Sequence, residues 1–386
     1  MKKIAFLSAR PFSRLLVCSI ACSLLFAACR KQEGTAGQIR TGYPGDSVRY
    51  AGGFRIETHD DYTLATVTDP WNPGKVLQQY VLVPEAAALP ASLPEGVVIR
   101  TPLKRIVSYG SVQCSFLEEL NVLSALVGVC EPHYIRIPFV QEGVRKGSIA
   151  NLGQAANPDV EKIMLIEPEA LFTAPIEGFT YGPAARSGFP FIECTDYMES
   201  SPLGRAEWIR FFALFFDKNA LADSLFRETE RNYLHLRELT AKVSHRPSVL
   251  AETVYNGIWY VPGGKSYIAH LFRDAGAGYL WNEDGTSGSL GLSFETVLEK
   301  AENAAYWLIK YNSPNDLTYE ELLKSNSNYA FFDACRERRI YACNTGKVPY
   351  YEELPIHPDY VLRDMIRIFH PELLPDCQPV YYWPLK

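Results

Sequence analysis

The feature that most constrains the fold of this chain is an alternation of strands and helices that begins at Lys104. RIVSY, ALVGVC and GFPFIECT are apolar enough for buried strands, and helical sequences such as SVQCSFLEELN separate them. Apolar strands that alternate with helices form parallel sheets covered by helices. One helical stretch, residues 204–243, interrupts the alternation, and its second part would form a helix of about 37 Å. We therefore predict an α/β protein of two lobes with mainly parallel, helix-covered sheets, joined by a single long α-helix.

One unit of helix and strand occurs twice, as NPDVEKIMLIEPEALF at 157–172 and as LSFETVLEKAENAAYWLI at 292–309. Asp159 and Ser293 are the predicted N-caps, which places Glu161 and Glu295 at the second helical position. A carboxylate there gains about 0.3–1 kcal/mol from the helix dipole, so local stability alone could explain either glutamate. Their matched occurrence in the two halves suggests a shared partner instead.

Before the alternation, short β-like runs such as FRIETH, YTLATV, QQYVLV and VVIRT predict a β-rich extension. The polar, Gly-rich stretch ahead of it reads as a flexible tether. The predicted organisation is a signal peptide at 1–28, a tether at 29–46, the β-rich extension at 47–101, an N-terminal lobe at 102–203, a helical segment at 204–243 and a C-terminal lobe at 244–386.

The first residues have the pattern of a bacterial lipoprotein signal. Basic residues precede an apolar run from Leu15 to Phe26, and Phe26-Ala27-Ala28-Cys29 follows. The run is shorter than the roughly 20 residues that a membrane-spanning helix needs, so it reads as a secretory signal. The small residues before Cys29 resemble a lipobox, although Phe26 stands where leucine is usual. We expect Cys29 to carry a lipid, with a soluble protein tethered to the membrane.

Composition argues against several classes of protein. The formal net charge is −6 and no basic runs occur, which disfavours binding to nucleic acid. No C-x-x-C pair occurs, so a zinc or redox motif is not expected. Six cysteines follow Cys29, and either disulfides or buried free thiols are compatible with their spacing: Cys114, Cys130, Cys194, Cys335, Cys343 and Cys377. The histidines are scattered, so we expect no bound metal ion and no catalytic cofactor.

Several segments together resemble the iron-chelate and vitamin B12 type of periplasmic binding proteins, the substrate-binding subunits of ATP-driven importers. They are KRIVSYGSVQCSFLEELNVLSALVGVCEPHY, the two repeated units and HPDYVLRDMIRIFHPEL, and the likeness covers about residues 102–375. The resemblance implies two lobes on one long helix, a ligand in the cleft and a monomer that docks on a permease dimer with its ATPase. In the family, one glutamate on each lobe meets arginines of the permease, and Glu161 and Glu295 fall on those positions.

Ligand contacts should come from loops at the carboxyl ends of the parallel strands. Aromatic residues, 13% of the chain, are common in these loops and can cover a large planar ligand. Tyr134 and Tyr260 loosely match positions where family members place ligand-facing aromatics. The candidates are Tyr109, His133, Tyr134, Phe179 and Tyr181 in the first lobe, and Trp259, Tyr260, Trp281, Tyr350 and Tyr351 in the second.

The sequence therefore predicts a lipid-anchored binding protein, not an enzyme, on the periplasmic side of a bacterial cell envelope. It would capture a metal chelate, such as a ferric siderophore, haem or a cobalamin, and present it to an ABC importer. One alternative is a chelatase or chelate-modifying enzyme on the same scaffold, with His133 as its general base. Another is a scavenging lipoprotein that has no permease of its own.

Overall fold

The computed structural model describes residues 48–386, so the expected signal peptide and the lipidation site at Cys29 lie outside the described residues. The first element is a four-stranded sheet in the order β1-β2-β3-β4. Its first three strands are antiparallel and β4 is parallel to β3. The strands are β1 Phe54–Thr58, β2 Thr63–Thr68, β3 Val76–Pro84 and β4 Val97–Thr101.

The first lobe is built on a five-stranded sheet in the order β11-β10-β5-β6-β7, parallel throughout. Two further short strands, β8 and β9, form a hairpin. The elements are β5 Ile106–Ser108, α1 Ser111–Glu119, β6 Leu126–Val129, α2 Pro138–Lys146, β7 Ala150–Asn151, β8 Gly153–Gln154, β9 Asn157–Pro158, α3 Val160–Ile166, β10 Ala170–Thr173 and β11 Phe191–Glu193.

Two helices, α4 Pro202–Leu214 and α5 Asn219–Thr240, connect the lobes. The helical conformation is interrupted between them at Asp217, which has a positive φ of 54°. Helix α5 has 22 residues and contacts both hydrophobic cores: Phe226 packs in the first lobe and Tyr233 in the second. It is the long helix that the sequence predicts.

The second lobe has a five-stranded sheet in the order β15-β12-β17-β18-β19, parallel except for the last strand. A separate antiparallel sheet, β13-β14-β16, lies beside it. The predicted fold class is therefore confirmed. The elements are β12 Ser248–Ala251, β13 Val254–Tyr255, β14 Ile258–Pro262, α6 Tyr267–Asp274, β15 Gly278–Tyr279, β16 Ser289–Leu292, α7 Phe294–Ala301, β17 Tyr306–Tyr311, α8 Tyr319–Ser325, α9 Asp333–Arg336, β18 Ile340–Asn344, α10 Tyr350–Glu353, α11 Pro358–Phe369 and β19 Trp383–Pro384.

The β-rich extension shares the hydrophobic core of the first lobe. Phe54 of β1 meets Trp208 of α4 edge to face, with ring centroids 4.9 Å apart. The Tyr80 hydroxyl donates a hydrogen bond to the carbonyl of Phe191 at 2.9 Å and accepts one from the N–H of Glu193 at 2.7 Å. These contacts join the extension to the edge strand β11 and to α4, so it forms one packed body with the lobe.

Residues 48–53, which we call the N-terminal strap, bind the connecting helices. The backbone N–H groups of Arg49, Tyr50 and Ala51 donate to the buried carboxylate of Glu207 at 2.7 to 3.0 Å. Glu207 also accepts from Arg210 at 2.7 Å within α4. A buried carboxylate is stable only when such donors replace its water, and here the strap supplies three of them.

The six described cysteines are free thiols, and all except Cys377 are buried. Burial raises the pKa of Cys114 and of Cys130 to about 12, so neither thiol ionises near neutral pH. Between residues 48 and 386, no helix has the length and apolar character needed to cross a membrane.

Candidate ligand-binding cleft

A cavity of about 900 Å³ lies between the two lobes. Its first-lobe wall comes from the residues that follow β5, β6 and β10, and its second-lobe wall from those that follow β17 and β18. These are the carboxyl ends of parallel strands, where open α/β sheets bind their ligands. The volume lies in the range of about 300–1,000 Å³ that is usual for small-molecule sites.

Seven of the ten candidate residues line this cavity: Tyr109, His133, Tyr134, Phe179, Tyr181, Tyr350 and Tyr351. The structure brings the aromatics of both lobes to one place, while their contact with a ligand stays a prediction.

The structure does not bring Trp259, Tyr260 and Trp281 to this cavity. Trp259 lies on β14 and is buried in the second-lobe core, where its Nε1–H donates to the carbonyl of Ala251 at 2.9 Å. Its neighbour Tyr260 points to the opposite, exposed face because side chains alternate along a strand. Trp281 is also buried, with its ring centroid 5.8 Å from that of Tyr279.

The first-lobe wall contains an aromatic cluster held by the half-buried carboxylate of Glu193. Tyr181 stacks on Phe191 with ring centroids 4.2 Å apart, and its hydroxyl donates to Oε2 of Glu193 at 2.5 Å. Thr173 donates to the same oxygen at 3.1 Å. Burial raises the pKa of Glu193, although both hydrogen bonds oppose the rise. These contacts fix the orientation of the Tyr181 ring before any ligand arrives, which lowers the entropic cost of binding.

Two arginines that the sequence reasoning missed also line the cavity. Arg205, in the first turn of α4, pairs with the buried Asp196 at 3.0 Å. Burial raises the pKa of Asp196, and the Arg205 charge limits that rise. Arg136 follows β6, and its backbone N–H donates to Glu352 of the second lobe at 2.8 Å. Its guanidinium donates to the carbonyl of Gly346, so Arg136 joins the two lobes at one end of the cleft.

Within residues 48–386, no group of three or more His, Cys, Asp or Glu side chains is placed to hold a metal ion. His133, the histidine of the cavity wall, packs beside Tyr134 with ring centroids 4.0 Å apart.

The two glutamates of the repeated units lie on the surface, each at the second position of its helix. The Asp159 side chain caps α3 by accepting from the N–H of Lys162 at 3.0 Å, and Ser293 caps α7 by accepting from that of Thr296 at 3.1 Å. Both predicted N-caps are confirmed. Glu161 and Glu295 are exposed, so each lobe presents a carboxylate to solvent.

Exposed apolar side chains accompany both glutamates, on the same helix in the first lobe and on a neighbouring strand in the second. In the first lobe, Leu165 of α3 is 81% exposed. In the second lobe, Ile258 and Tyr260 are exposed on β14, which pairs with β16, the strand that leads into α7. Each lobe therefore combines a carboxylate with apolar surface.

Comparison with known proteins identifies the family. The model of the periplasmic binding protein family matches residues 106–345. An uncharacterized lipoprotein of Methanocaldococcus jannaschii is 27% identical over 288 residues, which cover 71% of this chain and 67% of the relative.

Two solved structures share the fold. An ABC transporter substrate-binding protein from Listeria monocytogenes has a TM-score of 0.54 at 18% identity, covering 70% of this chain and 99% of its own. A periplasmic heme binding protein from Pseudomonas aeruginosa has a TM-score of 0.54 at 17% identity, covering 72% of this chain and 95% of its own. The family match spans most of both lobes and the long helix between them, and the chain therefore belongs to the periplasmic binding protein family.

Proposed function

We propose that this protein is the lipid-anchored substrate-binding component of an ABC importer and that it carries a metal chelate. The observation that carries the proposal is the 900 Å³ cavity, whose lining comes from both lobes of a periplasmic binding protein. A ligand in that position touches both lobes at once, so its binding and the closure of the lobes are coupled.

The lining supports a large, partly planar ligand. Tyr109, Tyr134, Phe179, Tyr181 and Tyr351 offer aromatic surface around the cavity. Aromatic rings bury a large area at small entropic cost, and a chelate presents organic surface to such rings while it holds its own metal. A ferric siderophore, haem and a cobalamin all fit this description. The family relationship adds support, since one structural neighbour is named as a heme binding protein.

The surface glutamates support delivery to a permease. Glu161 and Glu295 are exposed on separate lobes and each has apolar surface nearby. Two fixed negative charges suit a partner with two arginines, because paired charges steer encounter and set the register of docking. In this proposal, Cys29 carries the lipid that keeps the protein close to that partner.

The experiment that tests the ligand class is calorimetric titration of the purified protein with haem, a cobalamin, several ferric siderophores and free zinc. Calorimetry is preferable to tryptophan quenching because none of the six tryptophans, all within the described residues, lines the cavity. Submicromolar binding of one chelate, lost on Tyr181→Ala, supports the proposal. Tight binding of zinc with no binding of any chelate would contradict it.

A further inference from the structure

We infer that the first-lobe end of the cleft is a subsite for an anionic oxygen group of the ligand, held at the N-terminus of α1. This inference rests on the proposed function and narrows its ligand class to chelates that carry free carboxylates. Four consecutive residues at the start of α1, Gly110 to Gln113, line the cavity.

The start of α1 has unsatisfied donors. The N-cap residue is Gly110, which has no side chain to accept a hydrogen bond. Among the described residues, no backbone or side-chain acceptor takes the N–H groups of Ser111, Val112 or Gln113. The first N–H groups of a helix carry partial positive charge and form a ready anion site when they face a cavity. Helices α3, α6 and α7 differ, because a side chain caps each of them.

Two buried side chains point independently to a ligand at the same place. Tyr109 is 6% exposed and Gln113 is 2% exposed, and both line the cavity. Neither the Tyr109 hydroxyl nor Oε1 of Gln113 has a hydrogen-bond partner between residues 48 and 386. A buried polar atom without a partner is costly, so the partner of these two atoms has to come from what occupies the cavity. Burial raises the pKa of Tyr109, which keeps its hydroxyl protonated and able to donate.

The chemistry of this set favours an anionic oxygen. Three backbone N–H groups and one phenol O–H are all donors, and a half-turn of the Gln113 amide presents its NH₂ group as well. Two of the three acidic residues in the cavity lining have partners: Asp196 pairs with Arg205, and Glu352 accepts from Arg136. The remaining carboxylate of the lining, Glu131, follows β6 rather than β5. A carboxylate at the edge of a chelate would satisfy the free donors.

The test compares matched ligands that differ in carboxylates, by calorimetric titration of the purified protein. One pair is haem and haem dimethyl ester, and the other is ferric citrate and an uncharged ferric trihydroxamate. The two pairs separate the possible sources of the carboxylate, a macrocycle or a polycarboxylate siderophore. We expect the acid of one pair to bind at least about tenfold more tightly, since hydrogen bonds to a charged group are stronger than neutral ones. Equal or tighter binding by both uncharged ligands would overturn the inference and leave the chelate function standing.

Two variants locate the effect. Tyr109→Phe should weaken the acid about tenfold and leave the ester unchanged, because only a hydroxyl is removed. Gly110→Asp should remove the preference for the acid, because its own carboxylate would cap α1. Tyr255→Phe is the matched control, because Tyr255 is exposed and is not part of the cavity lining.

Equal losses for acid and ester in Tyr109→Phe would show a merely structural role and overturn the inference. If no chelate of either pair binds, and neither a cobalamin nor the other ferric siderophores bind, the proposed chelate function fails. Titration with citrate alone then decides the subsite: binding that depends on Tyr109 supports it, and no binding overturns it too.

Discussion

Nε2 of His357, in the second lobe, lies 3.1 Å from Oε1 of Glu119, in the first lobe. The imidazole also stacks on Tyr360, with ring centroids 4.7 Å apart. Burial alone would lower the pKa of His357. The hydrogen bond and charge of Glu119, with the charges of Asp359 and Glu353, outweigh burial and raise that pKa. When protonated, the imidazole therefore forms an ion pair that joins the two lobes outside the cleft.

The stability of the protein should therefore depend on pH through His357. A raised pKa in the folded state means that its contribution is complete below the unfolded value of about 6.5 and is lost as pH rises through the folded value. We expect the free energy of unfolding, measured with urea, to fall from pH 6 towards pH 8 because His357 loses its proton.

Other groups titrate as well, including Glu118 and Glu352, whose pKa values are raised by burial in the same region. His357→Gln isolates the histidine: the difference in unfolding free energy between the native chain and this variant should shrink as pH rises. A difference that is constant over this range would rule out the titration of His357 as its source.

Reversing both surface charges, Glu161→Lys with Glu295→Lys, should reduce chelate uptake by tenfold or more, because the lost pairs become like-charge contacts. Chelate affinity should stay the same, since neither residue lines the cavity. The measurements are uptake by cells that express the cognate permease and calorimetric titration of the purified variant.

Glu320→Lys is the matched control for this experiment. Glu320 is also exposed and occupies the second position of a capped helix, α8, in the second lobe. Uptake should survive this reversal. If the double variant transports as well as the control, the docking role is wrong.

Glu207→Gln should destabilise the protein by about 3 kcal/mol, because it leaves the buried Arg210 without one of its carboxylates. It also weakens the acceptor for the N–H groups of the strap. Guanidinium denaturation measures the change. Glu142→Gln, on the exposed surface of α2, should leave the midpoint where it is; an equal loss in both variants would contradict the buried role of Glu207.

Phe54→Ala should destabilise the extension and the first lobe together, by about 3–5 kcal/mol, since Phe54 packs on Trp208 in one shared core. Unfolding followed by tryptophan fluorescence and by circular dichroism should give coincident transitions. An early, separate transition confined to the variant would show that the extension unfolds by itself. The exposed Phe139→Ala serves as the control.

The first-lobe candidates that line the cavity follow strands of the regular alternation. Tyr109 follows β5 and Tyr181 lies in the segment after β10. Both therefore lie where the sequence places them, at the carboxyl ends of parallel strands. Trp259 lies outside this cavity because the chain inserts the hairpin β13–β14 between β12 and α6. The segment NGIWYVP is a strand of a side sheet, and no local pattern distinguishes such a strand from a binding loop.

Other lining residues could have been found by the same rule. Asn312 follows β17 and Thr345 follows β18, but neither has the aromatic side chain that marks the predicted ligand contacts. Arg205 does not follow a strand, so the position of strand ends does not predict it. It lies in the first turn of α4 and reaches the cavity through the packing of that helix between the lobes. Its place depends on tertiary structure that sequence periodicity does not encode.

The N-terminal strap determines where a mechanical force on the N-terminal side of the chain enters the fold. Because residues 49–51 are bound to Glu207 of α4, force transmitted along the preceding chain would enter the fold at the connecting helices. It would not reach the two surface glutamates first, since these lie on α3 and α7. A pull at the N-terminal side would act on the junction between the lobes, where α4 also carries Arg205 of the cavity wall.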